Sequence, residues 1–187
     1  MESMTTIAVT GHMDLTAASA VLVRQALTGL LRGYAPGDLT GVSCLAEGAD
    51  ALFAEAVLEA GGRLVVVIPS VNYRQEQGST AYADTFDRLA GAADEVVVLP
   101  NEVADPRAYE AANQVLLERA DRLVAVWNGR PAPGRNGGPA HAVEQARAAG
   151  LPVDVVWPPG AARLGDGGDA PVPAPTPAPG CPRGSSA

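Results

Sequence analysis

Six short runs of β-branched and other apolar residues alternate along this chain with alanine- and leucine-rich segments of helical period. The runs cover residues 7–10, 41–45, 64–69, 95–100, 122–127 and 153–157. Each is bounded by Gly, Pro, Asp or Asn, which are typical limits of a strand. Strands that alternate with helices are joined by crossovers and pair in parallel. The pattern therefore predicts an α/β fold: a doubly wound three-layer sandwich with a mainly parallel sheet of about six strands.

The segments between the runs have the spacing of helices. They cover residues 16–32, 49–60, 80–93, 108–120 and 140–150. In a doubly wound sheet, ligands bind beyond the carboxyl ends of the strands, where the strand order reverses. Functional residues are therefore expected in the loops after the first, second, third and fifth strands.

The composition of the chain changes near Pro158. From there to Ala187 the chain holds eight of its sixteen Pro residues and six Gly, with little that is apolar beyond Ala. Such a segment buries too little surface to fold. We predict one domain over residues 1–158 and a Pro/Gly-rich disordered tail over 159–187. The PVPAPTPAPG stretch is either an extended ligand for a partner domain or simply a solvated tail.

Charge and residue counts exclude several classes of function. All thirteen basic residues are Arg, so chemistry that needs a lysine amine is excluded, and the net charge of −8 disfavours duplex nucleic acid as a partner. The longest apolar run spans residues 64–69, far short of a membrane span. No signal peptide, disulfide framework or metal-ligand spacing is evident, so we expect a cytoplasmic protein without membrane contact, bound metal or cofactor.

The turn after the second strand has the features of a phosphate-binding helix start. Gly48 permits a tight turn, and the first N–H groups of a helix beginning near Ala49 would point into the crevice. Asp50 either contacts the ligand or caps the helix. Glu47 is a possible partner for a ribose hydroxyl, with helix capping as the alternative.

Two further loops carry candidate ligand contacts. Gly11 and His12 follow the first strand, where His12 either faces the ligand or packs against the next helix. In the loop after Pro69, Tyr73 and Arg74 are candidates for base stacking and charge pairing, unless both are merely exposed.

Six motifs occur in the same order as in one known group of proteins. They are TGH, SCLAEGAD, VVVIP, AYEAAN, DRLVAVWNG and GRNGGPAHAVEQA. In this succession the chain resembles the SLOG superfamily, Rossmann-like nucleotide-binding domains that include the Lonely Guy phosphoribohydrolases and DNA-uptake proteins that bind single strands. The resemblance implies a Rossmann-like domain that binds a nucleotide or nucleoside-phosphate metabolite as a ligand-recognition module.

The resemblance also extends to a second glycine turn. Gly137 and Gly138 resemble the Gly-Gly-Thr turn of the superfamily, which lets the backbone approach a phosphate at a helix start. Pro139 stands where the relatives have Thr and supplies neither a hydroxyl nor an N–H. A plain helix start is the alternative explanation of this turn.

The catalytic groups of the Lonely Guy pattern are not matched. Where those enzymes have a carboxylate, this chain has His141, and the companion Arg falls near Ala112 or Asn113. An N-glycosidase that releases a base from a nucleoside monophosphate is the alternative function, with His141, Glu47 or Glu144 replacing the missing acid. As a surface residue, His141 would have no role.

Self-association is also expected. The superfamily commonly pairs through its helices, and the fourth predicted helix has an alanine-rich face that includes Ala108, Ala112 and Leu116. A single sheet face would not cover all of it. We therefore predict a homodimer.

Overall fold

The computed structural model describes residues 4–77, 80–131 and 138–166, and it confirms the predicted fold class. The strands are β1 Thr5–Gly11, β2 Leu39–Ser43, β3 Arg63–Ile68, β4 Glu95–Val98, β5 Arg122–Val126 and β6 Val153–Val155. The helices are α1 Ala17–Leu31, α2 Ala49–Glu59, α3 Tyr73–Glu76, α4 Thr80–Ala92, α5 Pro106–Arg119 and α6 Pro139–Ala148. Five of these helices match the predicted segments, and α3 was not predicted.

The six strands form one parallel sheet in the order β4-β3-β2-β1-β5-β6. From β1 to β4 the chain winds outward in one direction, and it then returns to place β5 on the other side of β1. The strand order therefore reverses between β1 and β5. In a doubly wound sheet this switch point is where the loops part and leave a crevice.

Apolar residues of alternating direction build a core on each face of the sheet. Ile7 and Val9 of β1 pack in a cluster with residues of α1 and α2, whereas Ala8 packs in a second cluster with residues of α5 and α6. Alternation along β1 is what a strand covered on both faces requires. The result is the three-layer arrangement expected from the sequence.

The residues just after β6 are bonded to the start of α1. We call residues 159–166 the strap. Ala162 donates its N–H to Ser19 Oγ at 2.7 Å and accepts from the N–H of Thr16 at 3.3 Å, while Arg163 pairs with Leu15 in an antiparallel bridge. The strap, which the composition assigned to the tail, is thus hydrogen-bonded to the domain through residues 162–164. Residues 167–187 lie outside the described part of the chain.

The alanine-rich face of α5 is covered within the protomer. Ala108, Ala112 and Leu116 are all buried, the last two in the cluster beneath α5 and α6. This face therefore gives no support to the predicted homodimer. Within the described residues, no helix combines the length and the apolar character needed to cross a bilayer.

Candidate functional site

A crevice of about 840 Å³ opens at the carboxyl ends of β1, β2 and β5, at the switch point of the sheet. The β1–α1 turn, the β2–α2 turn, α3, α5, the start of α6 and the strap each contribute to its walls. Its described lining residues include Gly11, His12, Asp14, Cys44, Asp50, Tyr73, Gln77, Tyr109, Asn113, Trp127, Asn128, Arg130, Gly138, Arg163 and Asp166. The crevice thus lies where the sequence placed the site.

Close packing explains the glycine of the β1–α1 turn. A Cβ on Gly11 would lie 2.5 Å from Ala49 Cβ and 2.8 Å from Val126 Cβ. The end of β1, the start of α2 and the end of β5 therefore meet at this residue. Gly11 lines the crevice, but its first role is to let these three elements converge.

His12 is fixed in the crevice wall by contacts on all sides. Its Nε2 accepts a hydrogen bond from the N–H of Asn128 at 3.3 Å, and its ring lies edge-on to Trp157 at 5.5 Å. Burial, followed by the nearby charge of Arg163, lowers the pKa of His12. The ring is therefore neutral at pH 7, with its proton on Nδ1, and it holds the β1 and β5 loops together.

The β2–α2 turn is locked against the β1–α1 turn. Gly48 has φ +91°, and a Cβ on it would lie 2.7 Å from the carbonyl oxygen of Met13. The N–H of Ala49 donates to the carbonyl of His12 at 3.1 Å. This first N–H of α2 is therefore used inside the protein and does not point freely into the crevice as the sequence suggested.

Asp50 is the buried carboxyl of the crevice. Its side chain folds back over the turn, where Oδ2 accepts from the N–H of Ala46 at 3.4 Å, and Asp50 as a whole is 7% exposed. Its backbone carbonyl accepts from Ser43 Oγ at 3.2 Å. Burial raises the pKa of Asp50 to about 7, against the opposing hydrogen bonds from the backbone of Ala46 and Cys44. Gly48 is the N-cap of α2 and makes no side-chain cap bond, so Asp50 does not cap this helix.

The α6 helix starts at the crevice. Gly138 is its N-cap in an extended conformation, with φ −90° and ψ 177°, and Pro139 follows as the first helical residue. Gly138 accepts from the N–H of His141 at 3.1 Å through its carbonyl oxygen. The start of α6 therefore faces the crevice with the partial positive charge of a helix N-terminus. Gly137 lies outside the described residues.

Among the described residues, two arginines and three Tyr or Trp side chains line the walls. Arg163 of the strap is bonded to Asp14, whereas Arg130 forms no ion pair with any described residue. Trp127 donates from Nε1 to the carbonyl of Arg130 at 2.8 Å, which fixes the loop after β5. Tyr109 lies edge-on to buried Tyr73 at 6.1 Å.

Sequence reasoning missed several of these lining residues. Arg163 and Asp166 belong to a segment whose composition indicated a tail, and no local pattern reveals their contact with Asp14. Gln77 and Arg130 lie in the segments that follow β3 and β5, where functional residues were expected. Polarity at those loop ends is the signal that could have found them.

Several predicted site residues lie elsewhere. Arg74 is on the exposed surface in a two-point ion pair with Asp87 and does not line the crevice. Glu47 and Glu144 are exposed and are not among its lining residues. His141 lies in the first turn of α6 and is half-buried, and its Nε2 has no hydrogen-bond partner among the described residues.

The described residues do not form a metal centre. No group of three or more His, Cys, Asp and Glu side chains in residues 4–77, 80–131 and 138–166 is arranged to hold a metal ion. The charged groups of the crevice are instead suited to hydrogen bonding and to pairing with an organic ion. An open parallel sheet with such a crevice at its switch point is the general plan of Rossmann-like ligand-binding domains.

Known structures share this fold. DNA processing protein A from Streptococcus pneumoniae matches with a TM-score of 0.60 and 23% identity, over 81% of this chain and 50% of that chain. The molybdenum cofactor binding protein from Rippkaea orientalis matches with a TM-score of 0.52 and 18% identity, over 83% and 77%. The molybdenum cofactor carrier protein from Chlamydomonas reinhardtii matches with a TM-score of 0.50 and 19% identity, over 81% of this chain and 75% of that chain.

These similarities concern the fold. The chain spans half the length of the Streptococcus protein, so it corresponds to part of that molecule. No model of a known protein family matches the sequence, and no curated protein matches it.

Proposed function

We propose that this chain is a SLOG-type domain that binds a nucleotide or nucleoside-phosphate metabolite in the switch-point crevice, as a ligand-recognition module. The observation that carries the proposal is that the lining of one crevice includes both cationic groups, here called the cationic part, and aromatic rings, here called the aromatic part. Its volume of about 840 Å³ falls within the range of about 300–1,000 Å³ typical of small-molecule sites.

The cationic part suits the phosphate. Arg130 brings a guanidinium without an ionic partner among the described residues, and the N-terminus of α6 at Gly138 adds its partial positive charge. Arg163 lies in the same crevice, although Asp14 neutralises part of its charge. A phosphate is the ligand group that uses a helix start and a guanidinium together.

The aromatic part suits the base. Tyr109 and Trp127 are half-buried at the crevice wall, and Tyr73 is fully buried behind Tyr109. Partly exposed rings on a rigid sheet offer a heteroaromatic ligand a surface to stack on. Polar side chains of the same lining, among them Asn113, supply hydrogen bonds for orientation.

Structural neighbours support a ligand-binding use of this fold in general. Two of them are named for binding or carrying the molybdenum cofactor, and DNA processing protein A from Helicobacter pylori is described by its single-stranded DNA binding mode. At 14–19% identity these names do not transfer to this chain. They are the reason to include single-stranded DNA among the ligands of the binding screen.

The alternative N-glycosidase function gains no support from the crevice. The groups expected to act as its acid or base, His141, Glu47 and Glu144, are not among the described residues that line the crevice. We therefore propose recognition and not base release.

A binding screen on the full chain tests the proposal. Ribonucleoside mono- and diphosphates and a short single-stranded oligonucleotide are added in a thermal-shift assay, and each ligand that raises the melting temperature is then titrated by calorimetry. A ligand at 100 times its Kd stabilises the folded state by about 2.7 kcal/mol. If no nucleotide raises the melting temperature or gives binding heat, the proposal is wrong.

A matched pair of variants then locates the site. Arg130→Ala removes a crevice charge and is expected to weaken nucleotide binding at least tenfold. Arg147→Ala removes the same charge from the exposed far end of α6 and is expected to leave the affinity unchanged. Equal affinities of the two variants would place the ligand elsewhere.

A further inference from the structure

The crevice contains a buried carboxyl that receives only backbone hydrogen bonds from the described residues. Asp50 lines the crevice at 7% exposure, and these bonds come from the N–H of Ala46, at a long 3.4 Å from Oδ2, and from the backbone of Cys44. A carboxylate has two oxygens and accepts up to about four hydrogen bonds. Asp50 is thus a buried acceptor with capacity left for a ligand.

Among the described residues, no positive charge is found to act on Asp50. The titratable groups that face it are Cys44 at the end of β2, Tyr73 of α3 and Tyr82 of α4. Glu47 of its own turn adds a negative charge nearby, towards Tyr82. Burial among such groups favours the protonated carboxyl and raises the pKa of Asp50 to about 7. A buried charge without a partner is costly, so a ligand that donates N–H groups there gains more than it would in water.

The two oxygens of a carboxylate match a particular edge of a heteroaromatic ring. A 2-amino-4-oxopyrimidine ring, as in guanine, presents a ring N–H and an exocyclic N–H side by side. Hypoxanthine keeps only the ring N–H, while adenine presents its amino group beside a ring acceptor. Of these rings, only the guanine type can give both oxygens a donor along one edge.

We infer that the Asp50 carboxylate accepts hydrogen bonds from the base of the ligand, and that the preferred ligand of this crevice carries the 2-amino-4-oxopyrimidine edge of a guanine nucleotide. The inference rests on the proposed nucleotide function and names the class of ligand within it. Gln77 lies in the same wall with its Oε1 held by the N–H of Glu47 at 3.2 Å. The same edge occurs in pterins, so a pterin is included among the probes.

Calorimetry on the full chain at pH 7.5 tests the inference with GMP, IMP, AMP, XMP and neopterin. GMP is expected to bind at least tenfold more tightly than IMP, which lacks only the exocyclic amino group. Tighter binding of neopterin than of GMP would support the role of Asp50 in recognising this edge and would identify a pterin as the ligand. Nucleotide binding without preference for GMP over IMP would overturn the inference alone. Absence of all nucleotide binding would overturn the proposed function with it.

An exchange of preference provides the decisive variant. Asp50→Asn turns one carboxylate oxygen into an amide donor, which matches the ring N–H and the carbonyl of xanthine. The variant is therefore expected to bind XMP at least tenfold more tightly than GMP. Asp84→Asn makes the same change at an exposed carboxylate of α4 outside the crevice and is expected to keep the wild-type order. A variant at Asp50 that still prefers GMP to XMP would contradict the inference.

Proton release gives a second and independent readout. At pH 6 the buried Asp50 is mostly protonated, and binding of the guanine edge requires its ionised form. Titrations of GMP in buffers of different ionisation enthalpy are expected to show about one more proton released by the wild type than by Asp50→Asn. Equal release by the two proteins would show that Asp50 does not meet the ligand.

Discussion

Arg163 and Asp14 join the strap to the β1–α1 turn across 149 positions of sequence. Arg163 Nε lies 2.9 Å from Asp14 Oδ1 and 3.1 Å from Oδ2, and Nη2 lies 2.9 Å from Oδ2. Partial burial alone would raise the pKa of Asp14, but the hydrogen bonds from Arg163 hold it below its usual value. The pair therefore fixes a segment after the last strand against the rim of the crevice.

Removal of this pair is expected to release the strap with little loss of overall stability. Arg163→Met is expected to speed hydrogen exchange at the amides of Leu164 and Thr16, which bond to the carbonyls of Asp14 and Ala162. Both side chains are more than a third exposed, so the free energy of unfolding is expected to fall by no more than about 1 kcal/mol. Arg24→Met breaks a surface pair between α1 and α2 and serves as the control. Unchanged exchange in Arg163→Met would show that backbone bonds alone hold the strap.

Asp50 is expected to make the protein less stable as the pH rises towards neutrality. Its pKa rises from 3.8 to about 7 on folding, so between these values the folded state holds a proton that the unfolded chain has lost. The stabilisation is complete below pH 3.8 and is lost as the pH rises to about 7. A difference of roughly three pH units corresponds to on the order of 4 kcal/mol.

The measurement is urea unfolding at pH 5 and pH 8.5 for the wild type and for Asp50→Asn. The amide does not ionise, so the variant is expected to lose less stability than the wild type between the two values. Because both proteins share every other titratable group, a difference in how their free energies of unfolding change with pH is due to Asp50. Parallel slopes would mean that Asp50 ionises as readily in the folded protein as in the unfolded chain.

The architecture was accessible from the sequence because it depends on repeated local patterns. The ends of strands β1 to β6 fall within two residues of the predicted runs, since each strand is bounded by Gly, Pro or polar residues. The short helix α3 escaped prediction because its four residues are too few to show a helical period. The strap escaped because its hydrogen bonds to Thr16 and Ser19 join distant parts of the chain, which composition does not report.

The site was predictable in position more than in detail. The loops that line the crevice follow from topology, but the direction of each side chain depends on tertiary packing. Arg74 was expected at the ligand, yet Asp87 of α4 binds its guanidinium on the surface. Asp50 was recognised as a candidate, whereas its burial and raised pKa follow from the residues of α3 and α4 that cover it.

Gly48 is expected to be a structural residue, and a comparison with Gly129 isolates the reason. Both have positive φ, at +91° and +78°, but only Gly48 has a backbone atom within 3 Å of an added Cβ. Gly129→Ala is expected to lower the free energy of unfolding by about 1 to 2 kcal/mol, because alanine is strained at a positive φ. In Gly48→Ala the new Cβ also clashes with the backbone of Met13, so the expected loss is roughly 2 to 5 kcal/mol. Thermal or urea unfolding measures both, and equal losses would contradict the clash.

His12 is expected to titrate below its ordinary pKa. Burial and the charge of Arg163 disfavour the protonated ring, so the stability that neutral His12 contributes is present above pH 6.5 and is lost on acidification. Proton NMR of the variant His141→Gln, which leaves His12 as the only histidine, measures the midpoint directly. A midpoint at or above 6.5 would mean that His12 is not held neutral by its neighbours.

Gly138 is expected to affect ligand binding without affecting the fold. Its φ of −90° and ψ of 177° are extended values that any residue adopts, so Gly138→Val introduces no backbone strain. The new side chain obstructs the approach of a phosphate to the start of α6. We therefore expect nucleotide affinity to fall at least tenfold, while the melting temperature stays within a few degrees of that of the wild type.

Gly91→Val makes the same change in α4, where no atom lies within 4 Å of an added Cβ, and is expected to keep full affinity. Calorimetric titration at a temperature where all three proteins are folded separates the cases, and undiminished binding by Gly138→Val would mean that the phosphate does not approach α6.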